Sequence, residues 1–170
     1  MRDADKRAAN MFIHLRKLRK TDAKAMLEWI RDPETTVFLD GDFEAIGLEE
    51  CEKFIFASAF TISRRDFAVA DENDDYIGFA ALKNIDDDEK NAEISIVINK
   101  NFRRMGAAEE ALRQLIRIGF YGLHLNMLYS YTKIGNERAA ALFEKLFFRK
   151  MPTDGNSRIE YRLFSENRGN

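Results

Sequence analysis

Apolar and polar residues alternate along this chain with two different periods, and the clearest change of period lies between residues 92 and 121. The residues from Glu93 to Ile98 are rich in β-branched side chains and almost continuously apolar, which is typical of a central strand covered on both faces. After Ala108 the apolar residues recur at steps of three and four, as on one face of an amphipathic helix. The stretch therefore predicts a strand, a turn and a helix with its apolar face at Ala111, Leu112, Leu115, Ile116 and Phe120.

A strand, two helices and a loop are predicted over residues 12–61. Alternation from Phe12 to Leu18 indicates a first strand, and a helix that begins near Thr21 and Asp22 must end near Pro33. The broken pattern over 34–47 predicts a loop with a few buried anchors. A second helix is expected within 48–61, with Phe56 among its possible inward positions.

A hairpin and a second turn lead into the central strand. Strands are predicted over 67–70 and 76–85, with an acidic turn at 71–75 between them and another at 86–89 after them. Neither turn has the ligand spacing of a calcium loop, so we expect solvated tips and no metal site.

The C-terminal part predicts one more strand, a helix and a hairpin. A strand within 123–132 is expected to lie parallel to the strand of Glu93 after a helical crossover. The last helix opens at Gly135 and Asn136, extended structure resumes over 147–151, and a final strand covers 158–164. The order of elements predicts a mixed α/β fold.

Composition restricts the classes of function. The chain has 170 residues, of which 45% are hydrophobic and 33% charged, and its net charge is −2. We expect no membrane span and no nucleic-acid partner, because no long apolar run and no basic block occurs. The single Cys51 excludes an internal disulfide, and we expect a cytoplasmic protein with a flexible leader at 1–10 and a single domain at 11–170.

The turn between the central strand and its helix has the parts of an anion site. The start of a helix leaves backbone N–H groups unpaired and carries the positive end of the helix dipole. A glycine permits close approach of a ligand, and two arginines add charge. The same pattern also describes an ordinary connection between a strand and a helix. The residues of this turn are Arg103, Arg104, Met105, Gly106, Ala107 and Ala108.

The spacing Arg103-x-x-Gly106-x-Ala108 resembles the acyl-CoA signature of the GCN5-related N-acetyltransferases (GNAT). Residues 129–148 resemble the strand, the Asn-x-x-Ala helix and the ending that follow in this family, and residues 29–34 resemble the end of its N-terminal helix in the branch of the ribosomal-protein N-terminal acetyltransferases. The resemblance covers roughly residues 11 to 164. It implies a central mixed, mostly antiparallel sheet flanked by helices, with a splayed parallel strand pair at the acyl-CoA site.

The resemblance also implies acetyl-CoA as cosubstrate and no metal. The pyrophosphate is expected on the turn 103–108, and the pantetheine arm is expected beside the central strand. Besides the six residues of the turn, the expected cofactor-binding residues are Ile96, Val97, Ile98, Asn136 and Phe143.

The catalytic residues are expected on neighbouring strands. Glu93 lies where a glutamate serves as general base in several family members, although it can equally be a strand-face carboxylate paired with Arg or Lys. Phe143 stands where many members have a tyrosine that protonates the leaving thiolate, so Tyr131, or Tyr129, is the substitute donor. A second departure is Phe147, which replaces a glycine and leaves the local turn in question.

The acceptor remains open between a small-molecule amine, an amino sugar and a protein N-terminus. The resemblance places the acceptor side at the loop 34–47, where Phe38, Asp40, Asp42 and Phe43 either meet the amine or only pack and solvate the loop. A homodimer is possible. The alternative function is a non-catalytic acyl-CoA-binding or sensing module, which the loss of the tyrosine favours and the retained Glu93 opposes.

Overall fold

One sheet of seven strands organises the described part of the protein. The computed structural model describes residues 12–152, 155 and 157–166. The strands lie in the order β1-β2-β3-β4-β5-β7-β6. Their bounds are β1 His14–Lys17, β2 Arg65–Ala70, β3 Tyr76–Asp86, β4 Asn91–Ile98, β5 Met127–Lys133, β6 Arg149–Lys150 and β7 Arg158–Phe164.

Within the described residues, five α-helices connect and cover the strands. They are α1 Ala23–Ile30, α2 Pro33–Thr36, α3 Leu48–Ser58, α4 Ala107–Arg117 and α5 Glu137–Lys145. A short 3-10 turn at Lys20–Asp22 precedes α1, and another at Lys100–Phe102 follows β4. Helix α4 continues into a π-helical turn at Ile118–Gly122.

All neighbouring strands are antiparallel except β4 and β5, as expected from the crossover through α4. This parallel pair is short: Asn91 faces Met127, and the last matched residues are Glu93 and Tyr129. Beyond that point β4 remains paired with β3, whereas β5 remains paired with β7. The two central strands therefore diverge toward their C-terminal ends.

Two apolar clusters cover the two faces of the sheet. On the face of α4, Leu112 and Leu115 pack with Ile94 and Leu128, all fully buried. On the opposite face, α1 and α3 pack against Phe79, Ala81 and Val97. The predicted burial of both faces of β4 is thus confirmed, since Ile94 and Val97 belong to different clusters.

The structure differs from the prediction in the N-terminal region. Pro33 does not simply end α1 but opens α2, because a proline at the first position loses no helical hydrogen bond and Asp32 accepts one from the N–H of Glu34 at 3.3 Å. Phe56 points outward, with 70% of its surface exposed. The predicted leader at 1–10 lies outside the described residues.

The first acidic turn is an ion-pair centre and not a bare solvated tip. Asp74 forms ion pairs with Arg16 (2.9 Å) and with Arg19, and a hydrogen bond with His14 (3.0 Å). Within the described ranges no group of three or more His, Cys, Asp or Glu side chains is arranged to hold a metal ion. No helix in those same ranges has the length and apolar character that crossing a membrane requires.

Candidate active site

The divergence of β4 and β5 creates a cleft at the centre of the sheet. From Ile94 to Ile98, β4 has hydrogen-bonding partners on β3 but none on β5 among the described residues. The backbone edge of this segment is consequently directed toward the cleft. The predicted contacts Ile96, Val97 and Ile98 lie along this edge, where a linear thioester arm can pair with backbone groups.

The turn that follows leads directly to the N-terminus of α4. Gly106 is the N-cap and has φ 79°, in the left-handed region that favours glycine. A Cβ atom added there meets no heavy atom within 4 Å, so the space above this residue is open. The backbone N–H of Glu110 donates to the carbonyl of Gly106 at 3.0 Å. The N–H groups that precede Glu110, in the first turn of α4, point out of the end of the helix. This is the geometry of an anion site.

The two arginines of the turn have different surroundings. The guanidinium of Arg103 donates to the carbonyl of Ile98 at 3.2 Å and to the hydroxyl of Thr35. Its backbone N–H donates to the carbonyl of Lys100. Arg104 is exposed and has φ 62°. Phosphate binding by either arginine stays a prediction; Met105 and Ala108 are half-buried and Ala107 is buried beside them.

Asn136 and Phe143 lie on the other side of the cleft, at α5. The side chain of Asn136 caps the helix by accepting from the N–H of Ala139 at 3.2 Å. Phe143 is 4% exposed, and its ring packs against those of Phe148 at 5.0 Å and Tyr161 at 5.6 Å between centroids. The structure thus gives both residues a structural role, and their contact with CoA stays a prediction.

Phe147 forms the turn after α5 at the position where a glycine was expected. The residue adopts φ 65°, the left-handed conformation that a glycine at a helix C-terminus provides. The turn is closed by hydrogen bonds from Phe147 to Glu144 and from Phe148 to Phe143, both 3.0 Å. The local turn is therefore retained, but with backbone strain and with 79% of the phenylalanine exposed.

Glu93 lies at the closed end of the cleft, at the last matched position of β4 and β5. Its carboxylate is held by the ammonium of Lys83 at 2.8 Å and by the amide of Asn84 at 3.0 Å, and its side chain is 18% exposed. This pairing is what a strand-face carboxylate forms. The position beside the divergence is what a general base requires, so the base role stays a prediction.

Two phenols stand next to Glu93. Tyr129 is its direct neighbour on β5, and Tyr131 lies two residues further along the same face, with the rings in edge contact at 5.7 Å. Burial raises the pKa of Tyr131, and the carboxylates of Glu160 and Glu93 raise it further. Burial and Glu93 likewise raise the pKa of Tyr129. Both phenols therefore keep their protons at neutral pH and can act as donors.

The expected acceptor loop is fixed to the rest of the molecule by polar contacts. Asp40 forms ion pairs with Lys133 (3.4 Å) and Arg158 (2.5 Å). Phe43 packs against the α1 and α3 cluster, whereas Phe38 is 40% exposed. Asp42 accepts from the N–H of Glu44 at 3.2 Å.

Three residues that shape the site were not singled out from the sequence. A Cβ atom at Gly78 in β3 would lie 2.4 Å from the carbonyl oxygen of Val97, so only glycine permits this approach of β3 to the end of β4. A glycine inside a strand pattern is a signal for such an approach. Thr35 and Lys133, which form hydrogen bonds within and to the expected acceptor loop, have no comparable signal in the sequence.

Comparison with known proteins agrees with this geometry. Residues 13–149 match the family model described as the acetyltransferase (GNAT) domain. An uncharacterized N-acetyltransferase p20 from Bacillus licheniformis is 27% identical over 139 residues, which cover 80% of this chain and 78% of that protein. The putative ribosomal N-acetyltransferase YdaF from Bacillus subtilis (strain 168) is 35% identical over 71 residues, 42% of this chain and 39% of YdaF.

Solved structures have the same fold. Spermidine N-acetyltransferase from Vibrio cholerae, in complex with CoA and spermine, superposes with a TM-score of 0.79 at 19% identity, over 90% of this chain and 94% of that one. A probable acetyltransferase superposes with a TM-score of 0.80 at 22% identity, over 93% and 96% of the two chains. Since the family model spans most of the chain, the protein belongs to the GNAT family and is an acetyl-CoA-dependent N-acetyltransferase.

Proposed function

We propose that the protein transfers the acetyl group of acetyl-CoA to a primary amine by direct attack within a ternary complex. The observation that carries this proposal is the end of the β4–β5 pairing at Glu93 and Tyr129, since the divergence leaves the edge of β4 open next to the N-terminus of α4. A pyrophosphate on that turn and a thioester arm along Ile96–Ile98 bring the acetyl carbonyl toward Glu93. Positioning of the two reactants supplies most of the rate.

The chemistry requires a proton acceptor and benefits from a donor. Glu93 takes a proton from the ammonium, directly or through water, and the neutral amine attacks the thioester carbonyl. A backbone N–H at the open edge of β4 stabilises the oxyanion. As the C–S bond breaks, the attacking nitrogen loses its second proton to solvent, and the thiolate takes one from solvent or from Tyr131, which solvent then reprotonates. A thiol with a pKa of about 8.5 leaves without a strong acid.

Charge around the cleft favours an acceptor with a single amino group. Three carboxylates at the cleft each have a cationic partner from the same chain: Asp32 with Lys100, Asp40 with Lys133 and Arg158, and Glu93 with Lys83. Of the two acidic candidates in the expected acceptor loop, Asp42 alone has no ion pair among the described residues and accepts only from the N–H of Glu44. A polyamine is held best by carboxylates that lack such partners. We therefore propose a protein N-terminus or a small monoamine as acceptor, although one structural relative is named for spermidine.

An acceptor panel tests this proposal. Release of the CoA thiol is followed with N-terminal peptides, amino sugars, simple monoamines, spermidine and spermine, and each product is checked by mass spectrometry. We expect turnover with a monoamine or peptide and weak turnover with both polyamines. Spermidine as the best acceptor contradicts the acceptor class, and acetyl-CoA binding without turnover on any amine favours a binding module instead.

A further inference from the structure

The cleft between β4 and β5 has two rims that are formed by cationic side chains. The first rim is the turn 100–103, which follows β4 and contains Lys100 and Arg103. The second rim consists of Lys133, at the end of β5, and Arg158, at the start of the neighbouring β7. Because β4 and β5 diverge after Glu93, these rims stand on opposite sides of the opening.

One segment of the chain, residues 32–40, is bonded to both rims; we call it the bridging segment. On the first rim, Asp32 pairs with Lys100 at 3.4 Å and the hydroxyl of Thr35 accepts from Arg103. On the second rim, Lys133 donates to the carbonyl of Leu39 at 2.8 Å and Asp40 pairs with Arg158. The bridging segment therefore spans the mouth of the cleft.

The two attachments differ in burial and hence in strength. The ion pairs of Asp40 are exposed, with side-chain exposures of 54% for Asp40 and 46% for Arg158, and such pairs contribute little. Thr35 is 7% exposed, and it links a guanidinium to the carboxylate of Asp32, to which its hydroxyl donates at 2.7 Å. Hydrogen bonds between a charged group and a buried partner are the stronger kind. The bond of Lys133 to the carbonyl of Leu39 on the second rim is only partly buried. The first rim therefore holds the most buried contact of the bridging segment.

Arg103 is the residue that joins this attachment to the cofactor turn. Its guanidinium donates to the hydroxyl of Thr35 and to the carbonyl of Ile98, the last residue of β4. Its backbone N–H donates to the carbonyl of Lys100. These contacts direct the side chain toward the bridging segment and away from the open space above Gly106. Arg104, in contrast, is exposed at the same turn.

We infer that Arg103 is a positioning residue that holds the acceptor side of the cleft in place, whereas Arg104 supplies the charge for the cofactor. This inference rests on the proposed function of the cleft. The two adjacent arginines then have different roles. Loss of Arg103 raises the KM of the acceptor amine, and loss of Arg104 weakens the binding of acetyl-CoA.

The test compares Arg103→Gln with the matched variant Arg104→Gln. For Arg103→Gln we expect the KM of the acceptor to rise about 10-fold or more, because a charged hydrogen bond to a buried partner is lost, with acetyl-CoA affinity within about 2-fold of wild type. For Arg104→Gln we expect the reverse, with a weaker and less salt-dependent affinity for acetyl-CoA. Weaker acetyl-CoA binding in Arg103→Gln with an unchanged acceptor KM overturns the inference.

Thr35 provides a second test on the other side of the same bond. Thr35→Val should reproduce the higher acceptor KM, Thr35→Ser should restore it, and Thr35→Val combined with Arg103→Gln should be no worse than either alone. Additive effects of the two changes contradict the coupling.

Amide hydrogen exchange gives a readout that does not depend on turnover. Peptides that cover 32–40 should exchange faster in Arg103→Gln and in Thr35→Val than in wild type, and they should be unaffected in Arg104→Gln. Unchanged exchange in Arg103→Gln overturns the inference. Since this measurement needs no acceptor, a failure of the proposed function, seen as absence of turnover in wild type, is distinguished from a failure of the Arg103 role.

Discussion

The proposed cofactor side of the cleft is local in sequence, whereas the proposed acceptor side is assembled from residues far apart. The expected phosphate site lies within six consecutive residues and relies on backbone N–H groups, one left-handed glycine and a helix terminus. The bridging segment depends on side-chain contacts such as Thr35 to Arg103, 68 residues apart, and Leu39 to Lys133, 94 residues apart. Backbone recognition tolerates changes of side chain, but long-range side-chain contacts do not.

The largest effect should come from the centre of the cofactor side. Gly106→Glu places a carboxylate in the open space at the N-terminus of α4 and forces a side chain onto a residue with φ 79°. We expect acetyl-CoA affinity to fall by about 100-fold or more through repulsion of the phosphates and loss of backbone approach. Isothermal titration calorimetry provides the measurement.

Gly155→Glu is the matched control for that variant. Gly155 has a similar φ of 89° and the same open surroundings, but it lies in the β6–β7 connection. Both substitutions impose comparable backbone strain, so a difference in affinity reports the phosphate site alone. Equal loss of affinity in both variants contradicts a pyrophosphate on the Gly106 turn.

Glu93→Gln addresses the point where the two sides meet. If Glu93 is the general base, kcat should fall by about 100-fold at neutral pH with little change in acetyl-CoA affinity. Activity should recover as the pH rises toward the pKa of the amine, because solvent then supplies the neutral nucleophile. The pH profile of kcat is the measurement.

Lys83→Met is the control for the structural role of the same carboxylate, since Lys83 is its ion-pair partner at 2.8 Å. A Glu93 that only stabilises the sheet predicts that both variants lose similar stability and keep kcat within a few-fold of wild type. That result retires Glu93 as base and directs attention to Tyr129 and Tyr131.

Gly78→Ala should disturb the pairing of β3 with the end of β4. The new methyl group would lie 2.4 Å from the carbonyl oxygen of Val97, so a strand has to shift. We expect a destabilisation of about 1–3 kcal/mol, as for overpacked cores. Urea denaturation measures it, and Gly119→Ala, where the nearest neighbour is the flexible end of the Leu128 side chain at 3.0 Å, should cost less.

Phe147→Gly is expected to stabilise the protein. Glycine adopts the left-handed conformation of this residue without the steric cost of about 1–2 kcal/mol that a Cβ atom imposes. We expect a gain of about 1 kcal/mol in the free energy of unfolding. Phe147→Ala, which removes the exposed ring but keeps the Cβ atom, should give no such gain; a destabilised glycine variant shows that the ring packs usefully.

A smaller, pH-dependent effect is expected at Asp74, in the turn between β2 and β3. The hydrogen bond from Arg19, with contributions from His14 and Arg16, lowers the pKa of this carboxyl below its ordinary value of 3.8. A lowered pKa stabilises the fold above the ordinary value, and this stabilisation is lost as the pH falls through the lowered one. Asp74→Asn should therefore flatten the decline of stability as the pH falls below this ordinary value, which urea denaturation at a series of acid pH values measures.

Much of the fold was predictable because its signals are local. The β-branched run of β4, the apolar stripe of α4 and the cap at Asn136 each determine their own element, and the parallel crossover follows from their order. The short helix α2 was not predicted, because a proline after a helical pattern indicates the end of that helix, although proline also favours a helix start.

The candidate site divides in the same way. The turn around Gly106 was predictable from its residue types, and Gly78 could have been found as a glycine within a strand. The direction of Arg103 could not, because it depends on the position of Thr35 after folding. Likewise, nothing in the sequence near Asp40 indicates its pairing with Lys133 and Arg158.

The most direct test of the central claim is a comparison of two acetyl thioesters by thermal unfolding. Acetyl-CoA carries the nucleotide and pyrophosphate, and acetyl-pantetheine carries only the arm that lies in the cleft. A ligand at 100 times its Kd stabilises the folded state by about 2.7 kcal/mol, so at equal concentration acetyl-CoA should raise the melting temperature well above the value with acetyl-pantetheine. The excess should vanish in Gly106→Glu. An absent shift, or equal shifts with both thioesters, contradicts an acyl-CoA site built on the turn of α4.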